Sequence, residues 1–323
     1  MRAIAIVLAA AVCAGVSAAP RSTVAARTID THVLWRDRGP IEKLDLFWGP
    51  GNAERAPKPP FTFVEEDRTG TKPKIEVTDA AGVKWTIKLA PVEPKGNEVH
   101  AEIAASRLAW ALGYFVDEHY YVPEGRIAGA TELRRAQTVV GEGGAFKVAR
   151  FERKPDGAEP VGEWNIEDNR FKGTRELSGA QMLMVLLSSW DMPSHNTSTI
   201  RVPVPGGEPE IRYVLSDLGS TFGRMRGGYG ASPSRWNLQE YGDEKIVAGI
   251  VQGRLEFKST LGGPGHVAVP LEHARWFAAL LSRLSDDQIR QAFKAAGASE
   301  DEIEGFTRHV RGRIVEIQSA LKR

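Results

Sequence analysis

The 323-residue chain carries 42 Lys and Arg against 41 Asp and Glu, for a formal net charge of +1. So even a balance gives no electrostatic footprint for a dedicated nucleic-acid or membrane-surface binder. An apolar content of 42% over this length can fill an ordinary core divided between two lobes, and Cys13 as the single cysteine excludes a disulfide scaffold.

Met1 and Arg2 precede an apolar run from Ala3 to Val16 and the small residues Ser17, Ala18 and Ala19. This is the layout of a secretory signal peptide cleaved after Ala18, and it predicts a periplasmic or secreted protein with no membrane attachment after cleavage. The alternatives are a buried N-terminal helix or lipid attachment at Cys13, the latter opposed by the bulky Val12. No later stretch reaches the roughly 20 uninterrupted apolar residues of a membrane span. Residues 19–58 form an extension rich in Pro, Gly and charge around Phe47-Trp48-Gly49-Pro50-Gly51, expected to drape over the first lobe.

The first lobe is assigned to residues 59–153. Alternating patterns predict strands over Phe61 to Glu66, Ile75 to Thr78 and Val83 to Leu89, the last two joined by Ala80-Ala81-Gly82. Between the first two lies Arg68-Thr69-Gly70-Thr71-Lys72, an ordinary polar turn or a loop whose glycine, hydroxyls and cations hold phosphate oxygens. Lys88 sits in the third strand, either solvated or projecting into a cleft. A helix from Asn97 to Leu112 carries Glu98 and Glu102 one turn apart and stops at Gly113. Gly141, Gly143 and Gly144 read as a turn before a strand from Ala145 to Phe151, and Lys154-Pro155-Asp156-Gly157 marks a hinge.

The second lobe, residues 154–323, reads as mainly helical from Leu177 onward. An apolar helix from Leu177 to Trp190, with Met182 and Met184 in the core, leads to Asp191. The strands Thr199 to Val204 and Glu210 to Leu215 then form a hairpin across Pro205-Gly206-Gly207-Glu208-Pro209. Amphipathic helices over His273 to Leu284, Asp286 to Ala295 and Glu300 to Leu321 look structural. The loop from Arg224 to Arg235 is basic and either receives substrate or is merely solvated. The seven histidines lack the i, i+4 pairing of a zinc hydrolase, and His195 reads as a loop hydrogen-bonding residue.

Asp191 is followed five residues later by Asn196, and Asp217 follows the hairpin. An acid that accepts a hydroxyl proton, an amide that holds a divalent cation and a second acid on that cation are parts of a phosphoryl-transfer site. The spacing alone is equally that of two turns. Its position after Lys88 and Glu102, in the order of a phosphate-binding lysine and its ion-pair partner, favours the chemical reading.

Ala101-Glu102-Ile103-Ala104-Ala105-Ser106-Arg107-Leu108, with Leu112-Gly113-Tyr114, resembles the ion-pair helix of secretory-pathway kinases of the Golgi casein kinase type. More distantly it resembles bacterial persistence-toxin kinases and phosphatidylinositol-kinase-like enzymes. Leu215 to Gly223 likewise looks like the metal-binding segment of the first group. The resemblance covers roughly residues 60–225 and implies an α+β, two-lobed protein-kinase-like fold, β-rich with one key helix and then mainly helical. It implies that Lys88 binds nucleotide phosphates, that Glu102 orients it with Glu98 in reserve, and that Gly70, Thr71 and Lys72 cover the phosphates. Asp191 would be catalytic, Asn196 and Asp217 would hold Mg2+ or Mn2+, and ATP would donate to a hydroxyl of a protein, glycan or small molecule.

The chain departs from the pattern in having no His-Arg before Asp191, Met192-Pro193 after it, Leu218 in place of a phenylalanine, no G-x-G-x-x-G loop and no Ala-Pro-Glu. A non-catalytic relative that binds nucleotide or a partner, and a nucleotidyl transferase, therefore stand beside the phosphotransferase reading.

Overall fold

The computed structural model describes residues 31–67, 73–90, 97–192, 194–225, 233–258 and 267–322. The expected leader at 1–18, the phosphate-loop residues Gly70, Thr71 and Lys72, and Pro193 lie outside them. Residues 31–323 form one compact unit.

A short strand β1 (His32–Val33) precedes β2 (Phe61–Asp67), β3 (Lys74–Thr78), β4 (Lys84–Leu89), helix α1 (Asn97–Ala111), β5 (Glu118–Ala128) and β6 (Ala145–Arg153). Strands β2 to β6 close into a barrel in the order β2-β3-β4-β6-β5, with only the β2–β5 closure parallel. The period of two sends Ile75, Val77, Trp85, Ile87, Leu89, Ala149 and Phe151 into one barrel core. It sends Lys88, Arg150 and Glu152 to the opposite face, where Lys88 pairs in register with Arg150, and Glu152 with both Thr86 and His119.

That outer face is nevertheless buried, because α1 lies against it. The helix is buried almost all round: its alanines admit close neighbours, and its polar side chains Glu102, Ser106 and Arg107 are themselves buried. Val99, Ile103, Ala104 and Leu108 join the core of the helical half rather than the barrel core. Gly113 ends the helix with φ +97, and a Cβ there would lie 2.2 Å from Trp35 Nε1, so the turn excludes any side chain.

The second half runs through β7 (Glu159–Gly162), α2 (Arg175–Leu186), β8 (Thr197–Val202), β9 (Glu210–Leu215), α3 (Leu238–Asp243), β10 (Val247–Val251), β11 (Arg254–Phe257), β12 (Ala268–Pro270), α4 (Leu271–Ser282), α5 (Asp286–Ala295) and α6 (Glu300–Leu321). The result is the mixed α+β architecture expected, a β-rich half with one helix followed by a mainly helical half. Among the described residues no helix is long and apolar enough to cross a membrane.

Three features differ from the sequence expectation. Helix α2, capped by Thr174 Oγ1 accepting from Leu177 N, ends at Leu186, and Ser188 turns the chain at φ 54, so Asp191 follows an irregular segment rather than the helix end. The helical half also carries a three-stranded sheet, β10-β11-β12. Its hairpin turns at Gln252 and Gly253, both at positive φ, a primed turn written without the usual Asn or Asp. The extension is not confined to the barrel: Leu34, Ile41 and Leu46 belong to the core of the helical half, and Gln288 Nε2 donates to Ile41 O at 2.6 Å and Leu44 O at 2.9 Å.

Candidate functional site

Lys88 projects from the outer face of β4 and is only 2% exposed. Its ammonium donates to Glu102 Oε2 at 2.9 Å, Asp217 Oδ1 at 2.9 Å and Glu98 Oε1 at 3.1 Å. A barrel strand, the helix α1 and the segment after the β8–β9 hairpin thus meet on one nitrogen. Both glutamates reach it, because positions i and i+4 of a helix share a face. Burial opposes the charge on Lys88, and Glu102, Asp217 and Glu98 more than offset it, raising its pKa above the ordinary lysine value.

Glu102 is 1% exposed and divided between two cations. Its Oε2 takes Lys88 and its Oε1 takes Arg150 Nη1. Two cations in register on adjacent strands repel each other, so this carboxylate makes the β4–β6 face tenable. Arg150 also reaches Glu152 Oε2 at 2.6 Å, and Glu152 receives Lys154 at 3.1 Å. Sequence reasoning missed Arg150. The strand period exposed which face it occupies, but the register that sets it opposite Lys88 is not written locally.

Asp217 has φ 48, a conformation uncommon for a residue with a side chain. Two features hold its segment. Phe222 is wholly buried among Trp236, Tyr241, Phe293 and Phe306, with its N–H donating to Leu187 O at 2.8 Å. Gly219 packs so closely on α1 that a Cβ would lie 2.5 Å from Glu98 Cγ. Burial pushes the Asp217 carboxyl up, but Lys88 and Arg150 outweigh it, and its pKa lies below the usual aspartate value. Its side chain is 38% exposed, the most open of the acids around Lys88.

Asp191 and Asn196 are joined to each other: Asn196 Nδ2 donates to Asp191 O at 2.9 Å, committing the amide nitrogen and leaving the amide oxygen for a cation. Among the described residues no hydrogen bond or ion pair joins either of them directly to Lys88 or Asp217. The link runs through Trp190, whose N–H donates to Ser220 O and whose indole donates to Ser234 O at 3.0 Å. Arg235 lies over the Trp190 ring at 5.3 Å and pairs with Glu98 Oε2 at 2.6 Å. The end of the basic loop is thus a structural bridge between the Asp191 segment and α1. His195 is exposed and makes no hydrogen bond among the described residues, so the bonding role expected of it is not seen. Gly70, Thr71 and Lys72 cannot be placed, since they lie outside the described residues.

Glu102, His119 and Glu152 bring ligand atoms within 4.8 Å of one another, a grouping the sequence did not suggest. It does not fit a metal ion, because the Arg150 guanidinium already bridges Glu102 and Glu152. Asn196 and Asp217 offer the hard oxygen donors that Mg2+ or Mn2+ takes, and the Asp217 carboxylate is partly open.

His119 is a pH-sensitive element of this region. Burial and the Arg150 charge lower its pKa below 6.5, against the opposing pull of Glu152 and Glu102. Its ring contacts Ser106 Oγ at 3.1 Å. Below 6.5 the unfolded chain takes up a proton that the folded chain refuses, so the neutral ring costs stability as pH falls toward its folded pKa. Urea titrations from pH 7 downward should show wild-type stability falling, and His119→Asn should flatten that slope; equal slopes would assign the loss elsewhere.

No family model matches the sequence, and no curated protein matches it. Among solved structures, the crystal structure of a Helicobacter pylori proinflammatory kinase, CtkA, superposes with a TM-score of 0.49 at 15% identity, covering 82% of this chain and 96% of that one. At that identity and score the likeness carries no functional argument. The chemistry rests on the side chains around Lys88.

Proposed function

We propose that the chain is a nucleotide-dependent phosphotransferase with a kinase-like division into residues 59–153 and 154–323. The observation that carries this reading is the Lys88 ammonium, held at once by the α1 glutamates and Asp217. Phosphoryl transfer asks a protein mainly for positioning and for charge neutralisation around the phosphates. Lys88, kept charged and fixed by Glu102, would hold phosphate oxygens. Asn196 and Asp217 would hold Mg2+ or Mn2+, which neutralises phosphate charge when bound. Asp191 would accept the proton of the incoming hydroxyl, on a protein, glycan or small molecule. Cleavage of residues 1–18 would place the protein in the periplasm or outside the cell, where the donor nucleotide must be supplied.

A second reading, a non-catalytic binding protein, is favoured by the pairing of Asp217 with Lys88 and by Met192-Pro193 after Asp191. Mass spectrometry of candidate acceptors incubated with ATP and Mn2+ separates the two. The Asp191→Ala variant should lose about 10²- to 10⁴-fold in transfer rate, the usual range for a positioned acid or base. Its thermal response to ATP with Mn2+ should be retained, because the Asp191 carboxylate makes no ion pair among the described residues. Unchanged transfer would remove Asp191 from the mechanism, AMP-sized additions would indicate nucleotidyl transfer, and binding without any addition would support the non-catalytic reading.

A further inference from the structure

Away from Lys88, a cavity of about 340 Å³ opens beside Pro155 and Asp156, in the turn between β6 and β7. Four arginines line it: Arg36 and Arg38 from the segment after β1, Arg55 from the loop before β2, and Arg212 from β9. Three of their guanidinium groups crowd one ring, with Arg36, Arg38 and Arg212 lying 5.6, 5.7 and 5.1 Å from the centroid of Phe115.

The acids present do not balance this set. Arg55 is satisfied by Glu118, at 3.1 and 3.0 Å, and by Asp156 at 3.0 Å. Arg36 and Arg212 share the single carboxylate of Glu210. Arg38 has no carboxylate among the described residues; its Nε and Nη2 donate to the carbonyls of Trp110, at 2.7 Å, and Tyr114, at 2.9 Å. Burial and the like charges of Arg36 and Arg212 push its pKa down to about 10. Among the described residues, four lining cations stand against three acids, one of which, Asp156, also serves Arg153, so at least one positive charge on this concave surface has no counterion.

We propose that this cavity is a second ligand site, separate from the Lys88 cluster, that binds a phosphate group, either free inorganic phosphate or the monoester of a small molecule. Guanidinium forks match phosphate oxygens, and a tetrahedral dianion accepts donors from several directions where a planar carboxylate accepts one fork. The volume lies at the small end of ligand pockets, suited to a compact molecule rather than a nucleotide. Arg36 and Arg212 already divide one carboxylate, so an incoming dianion supplies the missing charge without displacing Glu210. Occupancy would tie the extension to β9 beside the turn between β6 and β7.

Isothermal titration of the full chain with inorganic phosphate and, separately, with glycerol phosphate tests this. Wild type should bind at least one of them at millimolar concentration or tighter, and Arg38→Gln and Arg36→Gln should each weaken binding about tenfold, the loss expected for a charge-assisted contact. The tighter probe names the source of the phosphate. Arg38→Gln also loses two bonds to main-chain carbonyls; should it fail to fold, the exposed Arg36→Gln carries the test, since Glu210 keeps Arg212. Absence of heat from both probes, or unchanged affinity in the folded variants, overturns the proposal. The outcome is independent of the phosphotransferase reading, because neither arginine belongs to the Lys88 cluster and the thermal response of Arg36→Gln to ATP with Mn2+ should match wild type.

Discussion

Asp217→Ala should abolish the metal-dependent part of nucleotide binding while leaving the protein folded. Lys88 keeps Glu98 and Glu102 after the change, so no buried cation is stranded. The lost carboxylate is the most open of the three around Lys88, 38% exposed, and its removal also relieves the desolvation that opposes its charge. Thermal shift with ATP and Mn2+ reads the result: wild type should rise in melting temperature, Asp217→Ala should not, and ATP without metal should act on both alike. A metal-dependent rise of equal size in the variant would falsify the assignment of Asp217. Asp217→Gly is the sharper control, because φ 48 suits glycine. It should be more stable than the alanine variant by about 1 kcal/mol, while remaining just as deficient in metal-dependent binding.

Glu102→Ala should show the opposite pattern, a large loss of stability that precedes any question of activity. Removing this carboxylate leaves Arg150 with Glu152 alone and Lys88 with Glu98 and Asp217, and takes away the one anion that bridges the two buried cations facing each other in register. Leaving a buried charge uncompensated costs about 3–5 kcal/mol, and the carboxylates that remain on Lys88 and Arg150 put the loss at the lower end of that range. Urea denaturation should register that loss in the midpoint, with little change in slope. The double variant Glu102→Met, Arg150→Met removes the under-compensated charge together with its partner, while Lys88 retains Glu98 and Asp217 and Glu152 retains Lys154. It should recover most of the stability, as replacement of a buried pair by apolar groups commonly does. Additive losses in the double variant would mean that the two side chains do not act as a unit.

The parts of this site that are legible in the sequence are those carried by local periodicity. The alternation around Trp85, Ile87 and Leu89 fixes that Lys88 leaves the barrel interior, and the helical spacing of Glu98 and Glu102 fixes that both face one way. What alternation cannot give is the partner across the sheet. Arg150 lies far along the chain from Lys88, and only the β4–β6 register makes them neighbours. Arg235 is legible only as part of a basic loop for a similar reason, since its pairing with Glu98 depends on how the segment after Phe222 returns over Trp190. The sequence places the end of α2 four residues too late because Leu187-Ser188-Ser189-Trp190 contains no glycine or proline to stop a helix. Ser188 instead adopts a left-handed turn, fixed by main-chain bonds from Ser189 N–H to Met184 O and from Phe222 N–H to Leu187 O. The extension shows the limit of composition: Pro, Gly and charge announce irregular chain, yet Ile41 and Leu46 are as buried as any core residue.

The position of α1, with the barrel face on one side and the helical core on the other, has a consequence for motion. Sliding it outward would uncover two like charges on β4 and β6 and strip Val99, Ile103 and Leu108 from the core they share with the second half. No such excursion is cheap. The helix therefore opens only together with the elements that enclose it, as part of one cooperative unit, and its amides exchange with solvent at the pace of global unfolding. Any adjustment of the site to a ligand then falls to the Asp217 side, whose carboxylate is the most exposed of the acids that hold Lys88 among the described residues.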